Sequence, residues 1–136
     1  MAIKKYQGSC HCKKVKFEVE TDLQNGTYKC NCSYCAKVRS WGHITKPEFF
    51  TWTSGLSEVS VYQITPGTSN EYYFCKHCGV RLGTKGFIEE IGGDYFSVTI
   101  STLDNITPTE LAELEVKCMD GATNNWHEVP AVTKHL

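Results

Sequence analysis

Seven of the chain's eight cysteines fall into three clusters: Cys10-His11-Cys12, Cys30-Asn31-Cys32-Ser33-Tyr34-Cys35 and Cys75-Lys76-His77-Cys78. C-x-C and C-x-x-C spacings place two sulfurs on one tight turn, close enough to share an ion. A structural zinc takes four ligands in a closed tetrahedron, whereas a catalytic zinc keeps one of its positions for water or substrate. The distant pairs Cys10/Cys12 and Cys75/Cys78 therefore make one closed centre that ties the two parts of the chain together and contributes to folding. Cys30, Cys32 and Cys35 make a second centre one protein ligand short. Two zinc ions are expected, one holding the fold and one available for chemistry.

The fourth position of the triplet has two readings. Water or a substrate atom could fill it, or a protein ligand could, from Cys118 or from one of His11, His43, His77, His127 and His135. In the open case the ligand type selects the chemistry. Three thiolates donate much charge to the metal and weaken it as a Lewis acid, so ionising water is disfavoured. Holding an incoming thiol as thiolate is favoured, because a coordinated thiol loses its proton. His43 is a candidate acid or base, and Trp41 a candidate wall or core residue. Cys118 has no partner by spacing and reads as a packed apolar residue.

The 136 residues are expected to form one zinc-binding domain spanning 1–136, with hydrophobic content of 40% and aromatic content of 12%, those of a globular protein. The segment Met1-Ala2-Ile3-Lys4-Lys5 does not open an apolar signal run, and no stretch reaches the roughly 20 apolar residues needed to span a membrane. A cytoplasmic location is expected, where cysteines are kept reduced and serve metals more often than disulfides. The formal charge of −1, made more negative by zinc–thiolate centres, gives no case for nucleic acid or an anionic membrane. The lysines and arginines near the clusters (Lys13, Lys14, Lys29, Lys37, Arg39, Lys76, Arg81, Lys85) read as a solvated balancing face or as anchors for an anionic thiol.

The elements that must position these cysteines are mostly strands. Alternation predicts strands over Lys13–Glu20, with Val15, Phe17 and Val19 inward, over Glu58–Ile64, with Val59 and Val61 inward, and over Tyr95–Ser101. Thr27–Cys30 should deliver the triplet, Ser33–Arg39 should take a helical turn, and backbone N–H groups near Cys32 and Cys35 should face the thiolates. Trp41–Thr45 reads as extended, Phe49, Phe50 and Trp52 as core, and Glu71–Phe74 and Val80–Lys85 as a strand pair around the last cysteine knuckle. Gly86 and Gly92-Gly93 are expected to flank a loop. Pro108–Glu113 is a helix candidate capped by Thr107, with Pro108 at the first position, and Glu115–Met119 a last strand.

Gly8-Ser9-Cys10-His11-Cys12, Cys30-Asn31-Cys32-Ser33-Tyr34-Cys35 and Phe74-Cys75-Lys76-His77-Cys78-Gly79, with the later Thr102-Leu103-Asp104 and Asp120-Gly121, resemble the glutathione-dependent formaldehyde-activating enzyme family, which includes centromere protein V. The resemblance implies an Mss4-like fold, a mostly β tent of antiparallel sheets pinned by zinc with one or two short helical turns. It implies that Cys10, Cys12, Cys75 and Cys78 match structural-zinc ligands, and that Cys30, Cys32 and Cys35 match catalytic-zinc ligands. It also implies a carbon–sulfur lyase joining formaldehyde and glutathione into S-(hydroxymethyl)glutathione. The first expectation is thus a zinc-dependent enzyme acting on thiol–aldehyde adducts, with a small thiol such as glutathione as partner. The rival is a non-enzymatic zinc-binding module whose fold is a partner surface. A third, methionine sulfoxide reduction, would need an exposed, acidified Cys118.

Overall fold

The computed structural model describes residues 2–67 and 70–136. The chain is mostly β: the described residues form ten strands in two sheets and two short helices. Strands β1 (Lys4–Ser9), β2 (Lys16–Thr21) and β5 (Phe50–Ser54) form a three-stranded antiparallel sheet. The larger sheet has the order β10-β3-β4-β9-β8-β7-β6. Its strands are β3 (Thr27–Cys30), β4 (Gly42–Thr45), β6 (Val59–Tyr62), β7 (Glu71–Cys75), β8 (Arg81–Ile88), β9 (Gly93–Thr99) and β10 (Val116–Met119). All pairings are antiparallel except β10 with β3, which is parallel. That exception brings the late residue Met119 opposite Cys30.

Register assigns the two faces of the seven-stranded sheet, because residues directly opposite one another across a ladder share a face. The pairs His43↔Val98, Thr45↔Phe96, Gly83↔Val98 and Tyr73↔Gly83 define one face. This face meets the small sheet: Phe50 stacks on Phe96 at 3.8 Å between centroids and on Phe17 at 5.0 Å, while Trp52 meets Phe96 and Tyr73 edge-on. Val15, Phe17, Val19, Leu82, Val98 and Ile100 are almost fully buried in this layer. Each such side chain contributes roughly 1.5–3 kcal/mol by leaving water. The opposite face carries Tyr28, Gly42, Ile44, Ser97, Thr84, Tyr72 and Tyr62 in register.

Several elements match their sequence expectations closely. Thr27–Cys30 and Glu71–Cys75 are strands, and α1 (Ser33–Val38) follows the triplet. Helix α2 (Pro108–Glu113) has a full capping box, with Thr107 Oγ1 accepting from the Glu110 N–H and Glu110 Oε1 accepting from the Thr107 N–H. Four expectations are corrected. The Lys13–Glu20 strand begins only at Lys16, since Lys13 turns left-handed with φ 69° to close the first cysteine loop. Val61 is 46% exposed because β6 stands last in the sheet, paired among the described residues with β7 alone. Phe49 is 48% exposed on the 3-10 turn Pro47–Phe49, and only Phe50 and Trp52 reach the core. Gly86 lies inside β8, which runs on to Ile88, so no loop starts there. A Cβ at Gly86 would sit 2.6 Å from the Tyr95 hydroxyl, so the strand needs its smallest residue where that phenol crosses it.

Among the described residues, no helix is long and apolar enough to cross a membrane.

Candidate metal centres

The first centre is built by the ends of two strands from different sheets. β1 runs into Cys10 and β7 ends in Cys75, both almost completely buried, at 1% and 0% exposure. After each cysteine pair the chain turns left-handed, at Lys13 (φ 69°) and Gly79 (φ 76°), which folds backbone N–H groups towards the sulfurs. Val15 N donates to Cys10 Sγ and His77 N to Cys75 Sγ, each at 3.4 Å. The Cys78 thiol is pushed down to about 6 by the backbone N–H of Cys12 and then that of Val80. Such donors favour thiolates.

The sulfurs of Cys10, Cys12, Cys75 and Cys78 all lie within 4.8 Å of one another. Cys10–Cys12 and Cys12–Cys75 are 3.6 and 3.7 Å apart. Zinc–sulfur bonds of ~2.3 Å in a tetrahedron place sulfurs about 3.8 Å apart, whereas a disulfide would place them at about 2.05 Å. All eight cysteines are free thiols. The donor set and spacing fit a tetrahedral thiolate ion. Around it, Lys13 Nζ reaches Ser9 Oγ at 3.0 Å and Asp104 at 3.5 Å, and Ser9 Oγ donates to Asp104 at 2.6 Å. Asp104 thus anchors the first cysteine turn.

The second group, Cys30, Cys32 and Cys35, also lies within 4.8 Å, with no fourth Cys, His, Asp or Glu beside it among the described residues. β3 delivers Cys30. Cys32 is the N-cap of α1, its sulfur accepting from the Cys35 N–H at 3.4 Å, and Cys32 N donates to Cys30 Sγ at 3.4 Å. The Cys30 thiol is lowered to about 6, first by a hydrogen bond from Cys35 and, against burial, by the N–H groups of Cys32 and Gly121. Cys35 is raised by the same hydrogen bond and by burial. A bound cation would replace the protons of these thiols.

The Gly121 donor is a contribution that reading along the chain missed. Asn31 bridges the two loops, its Nδ2 donating to Asp120 Oδ1 and its Oδ1 accepting from Ala122 N, each at 2.9 Å. A Cβ on Gly121 would lie 2.6 Å from Cys30 Sγ and 2.7 Å from the Trp126 ring. The only sequence signals were the Asp120-Gly121 pair and an asparagine between two ligand-type cysteines. Tyr72 and Tyr95 were missed as well. Burial and then the charge of Cys35 raise both phenols, Tyr72 to about 12. Across α1, the Tyr34 ring tilts against Tyr72 at 4.4 Å and covers the Arg81 guanidinium at 4.9 Å.

None of the alternative fourth ligands joins the triplet. Cys118 sits on β10 beside Lys29, half-buried and outside both groups. His43 is 2% exposed, with Nε2 2.7 Å from Thr21 Oγ1 and Nδ1 2.7 Å from the Gly26 carbonyl. Burial lowers its pKa and keeps it neutral. It is a satisfied core residue on the face away from the triplet. Trp41 packs on the core and donates to Thr27 Oγ1 at 2.8 Å. His77 pairs with Glu58 at 3.1 Å and stays outside the sulfur cage.

A mostly β chain with a four-sulfur and a three-sulfur group defines a class of cysteine-rich, metal-compatible β proteins. Within it, the glutathione-dependent formaldehyde-activating enzyme family model matches residues 5–118, and the chain belongs to that family. A crystal structure of a Rhodobacter sphaeroides protein, a structural-genomics target, shares the fold with a TM-score of 0.68. The two are 21% identical, over 82% of this chain and 99% of that one.

Proposed function

We propose that Cys10, Cys12, Cys75 and Cys78 hold a structural zinc, and that Cys30, Cys32 and Cys35 hold a second with one position left for substrate. The protein then acts as a carbon–sulfur lyase on thiol–aldehyde adducts, joining formaldehyde and glutathione or splitting their product. What carries this reading is the contrast between a complete set of four sulfurs and a set of three with no fourth donor beside it. A zinc ion at the triplet would lower the pKa of an incoming thiol and fix its sulfur for attack on an aldehyde.

The chain's own groups do the rest. Asn31 and the Gly121 N–H hold Cys30 in place, so three sulfurs present one fixed face. Tyr72 and Tyr95 stay protonated at neutral pH and feel the charge of Cys35, which makes their hydroxyls the candidate donors. When thiolate sulfur attacks formaldehyde carbon, the carbonyl electrons move to oxygen, and a phenol hydrogen bond stabilises the charge that forms there. Orientation of two small reactants supplies the remaining acceleration.

The deciding experiment is exchange NMR at equilibrium between formaldehyde and glutathione, with wild type against Cys32→Ser at matched folding. Faster exchange with the wild type alone supports the reading, and equal rates remove it. Zinc absorption spectroscopy separates the rival, a structural module, which requires four protein ligands at both ions.

A further inference from the structure

Arg81 is a cation without a carboxylate. It opens β8, two residues after the left-handed Gly79, and among the described residues it enters no ion pair. Its Nη2 donates to Thr84 Oγ1 at 3.4 Å, a long bond, and its Nε is buried with no hydrogen-bond partner among the described residues. A buried N–H left unpaired is a cost, so hydrogen bonding does not account for an arginine here. The Tyr34 ring does: its centroid lies 4.9 Å from the guanidinium carbon, a cation–π contact.

Tyr34 stands between Cys32 and Cys35, on the helix that carries two of the triplet's three sulfurs. That helix has six residues, none of them fully buried, and helices below roughly 12–15 residues do not hold by themselves in water. Its place is therefore set by contacts with the sheet, and Tyr34 makes them: the ring tilts on Tyr72 at 4.4 Å, stacks on Tyr62 at 5.8 Å and lies against Arg81. Arg81 in turn takes its place from the first centre. Gly79 N donates to the Cys75 carbonyl at 2.8 Å, Cys75 N to the Val80 carbonyl at 3.0 Å, and Val80 N to the Cys78 sulfur. The knuckle that sets two sulfurs of the four-sulfur group thus also sets where β8 begins. Charge acts in the same sense. Four thiolates or three around a divalent ion leave net negative charge, and the guanidinium lies between the segments that would carry it.

We propose that Arg81 is a positioning residue for the triplet, held by the knuckle of the four-sulfur group and fixing, through the Tyr34 ring, the helix that bears Cys32 and Cys35. This role rests on the reading of the triplet as a metal site and adds a group outside it that keeps its sulfurs at one spacing. It also gives the first centre a hold on the second.

Loss of the first ion is expected to unfold the chain, so the link itself is tested. Cobalt(II) is titrated into protein whose four-sulfur group holds zinc, and sulfur-to-cobalt charge-transfer absorption reports coordination at the triplet. Cobalt affinity should fall tenfold or more in Arg81→Gln, with a shifted band, and Arg81→Lys, which keeps a cation at the ring, should recover part of the loss. Tyr34→Leu should lose as much, and the double variant no more than either, since both break one contact. Arg81→Met serves in place of Arg81→Gln if the latter does not fold. The first centre's zinc content and the urea midpoint should change little. Equal cobalt affinity in wild type and Arg81→Gln, fully additive losses, or a parallel loss of the first zinc overturns the proposal. If the wild type binds no ion at the triplet, the metal reading falls, and hydrogen exchange at Ala36 N and Ser40 N, which donate to the carbonyls of Cys32 and Cys35, decides the rest. Faster exchange in Arg81→Gln then keeps Arg81 as the residue that places the helix, and unchanged exchange removes that role too.

Discussion

The four-sulfur group draws its cysteines from the ends of strands in both sheets, whereas the three-sulfur group takes all of its cysteines from the short stretch running from the end of β3 through the N-cap of α1 into that helix. Removing the first disconnects two layers that otherwise meet through aromatic stacking. Removing the second leaves both layers joined, because α1 only rests on the outer face. In the first group Val15, His77 and Val80 donate from close by in sequence, while Cys78 takes its largest N–H contribution from Cys12 in the other cysteine loop. The second borrows one from Gly121, at the far end of the chain. The first group joins distant parts of the chain through its own cysteines, and the second is joined to a distant part through the support of Cys30.

Cysteine replacement should break this comparison most sharply. Structural zinc contributes on the order of 10 kcal/mol in small zinc modules, comparable to the roughly 5–15 kcal/mol that holds a typical domain folded. Cys75→Ser should therefore abolish the cooperative thermal transition seen by circular dichroism. Cys32→Ser should keep that transition and lose only the second ion, as metal analysis would show. Similar melts for the two variants would erase the distinction. Gly121→Val comes next: its side chain enters the space of Cys30 Sγ and Trp126, and metal affinity at the triplet should fall tenfold or more, about 1.4 kcal/mol. Competition with a chromophoric chelator measures it, and the first centre should be unaffected.

Thr107→Ala serves as the contrast that touches neither group. Loss of the capping box should cost about 1 kcal/mol in urea unfolding, with both metal affinities unchanged. The smallest effect concerns pH. The folded pKa of His43 lies below its unfolded value of about 6.5, so the unfolded chain binds the extra proton. Its contribution therefore destabilises the fold as pH falls through about 6.5, and levels off below the folded pKa. Comparing urea midpoints at pH 7.5 and 5.5, His43→Gln should lose less stability over that interval than the wild type does.

The legible parts of the chain are those decided by neighbours in sequence. The cap Thr107-Pro108-Thr109-Glu110, the strand Thr27–Cys30 and the left-handed Gly79 after Cys78 follow from local chemistry, and the structure has each of them. The grouping of sulfurs into four and three also came from spacing, because only the distant pairs were incomplete alone. What failed depends on who stands opposite. Val61 alternates as an inward residue should, yet its strand is last in the sheet and leaves it 46% exposed. Gly86 looks like a breaker, and the crossing of Tyr95 makes it a strand residue. His43 looked reactive until Thr21 and the Gly26 carbonyl took up both its nitrogens. The contact of Gly121 with Cys30 depends on a parallel pairing between the third strand and the last, which no local pattern announces.

That pairing sets an order on biosynthesis. The four cysteines that bind the layers have all emerged once Cys78 clears the ribosome, but the glycine that steadies Cys30 follows that sulfur by roughly ninety residues. At about 5–20 residues per second, the three thiols wait ~5–20 s, uncovered, on a nascent chain whose scaffold can already close. On the proposed two-ion reading, the support of the second centre comes after the ligands of the first are complete, and the tail locks down last.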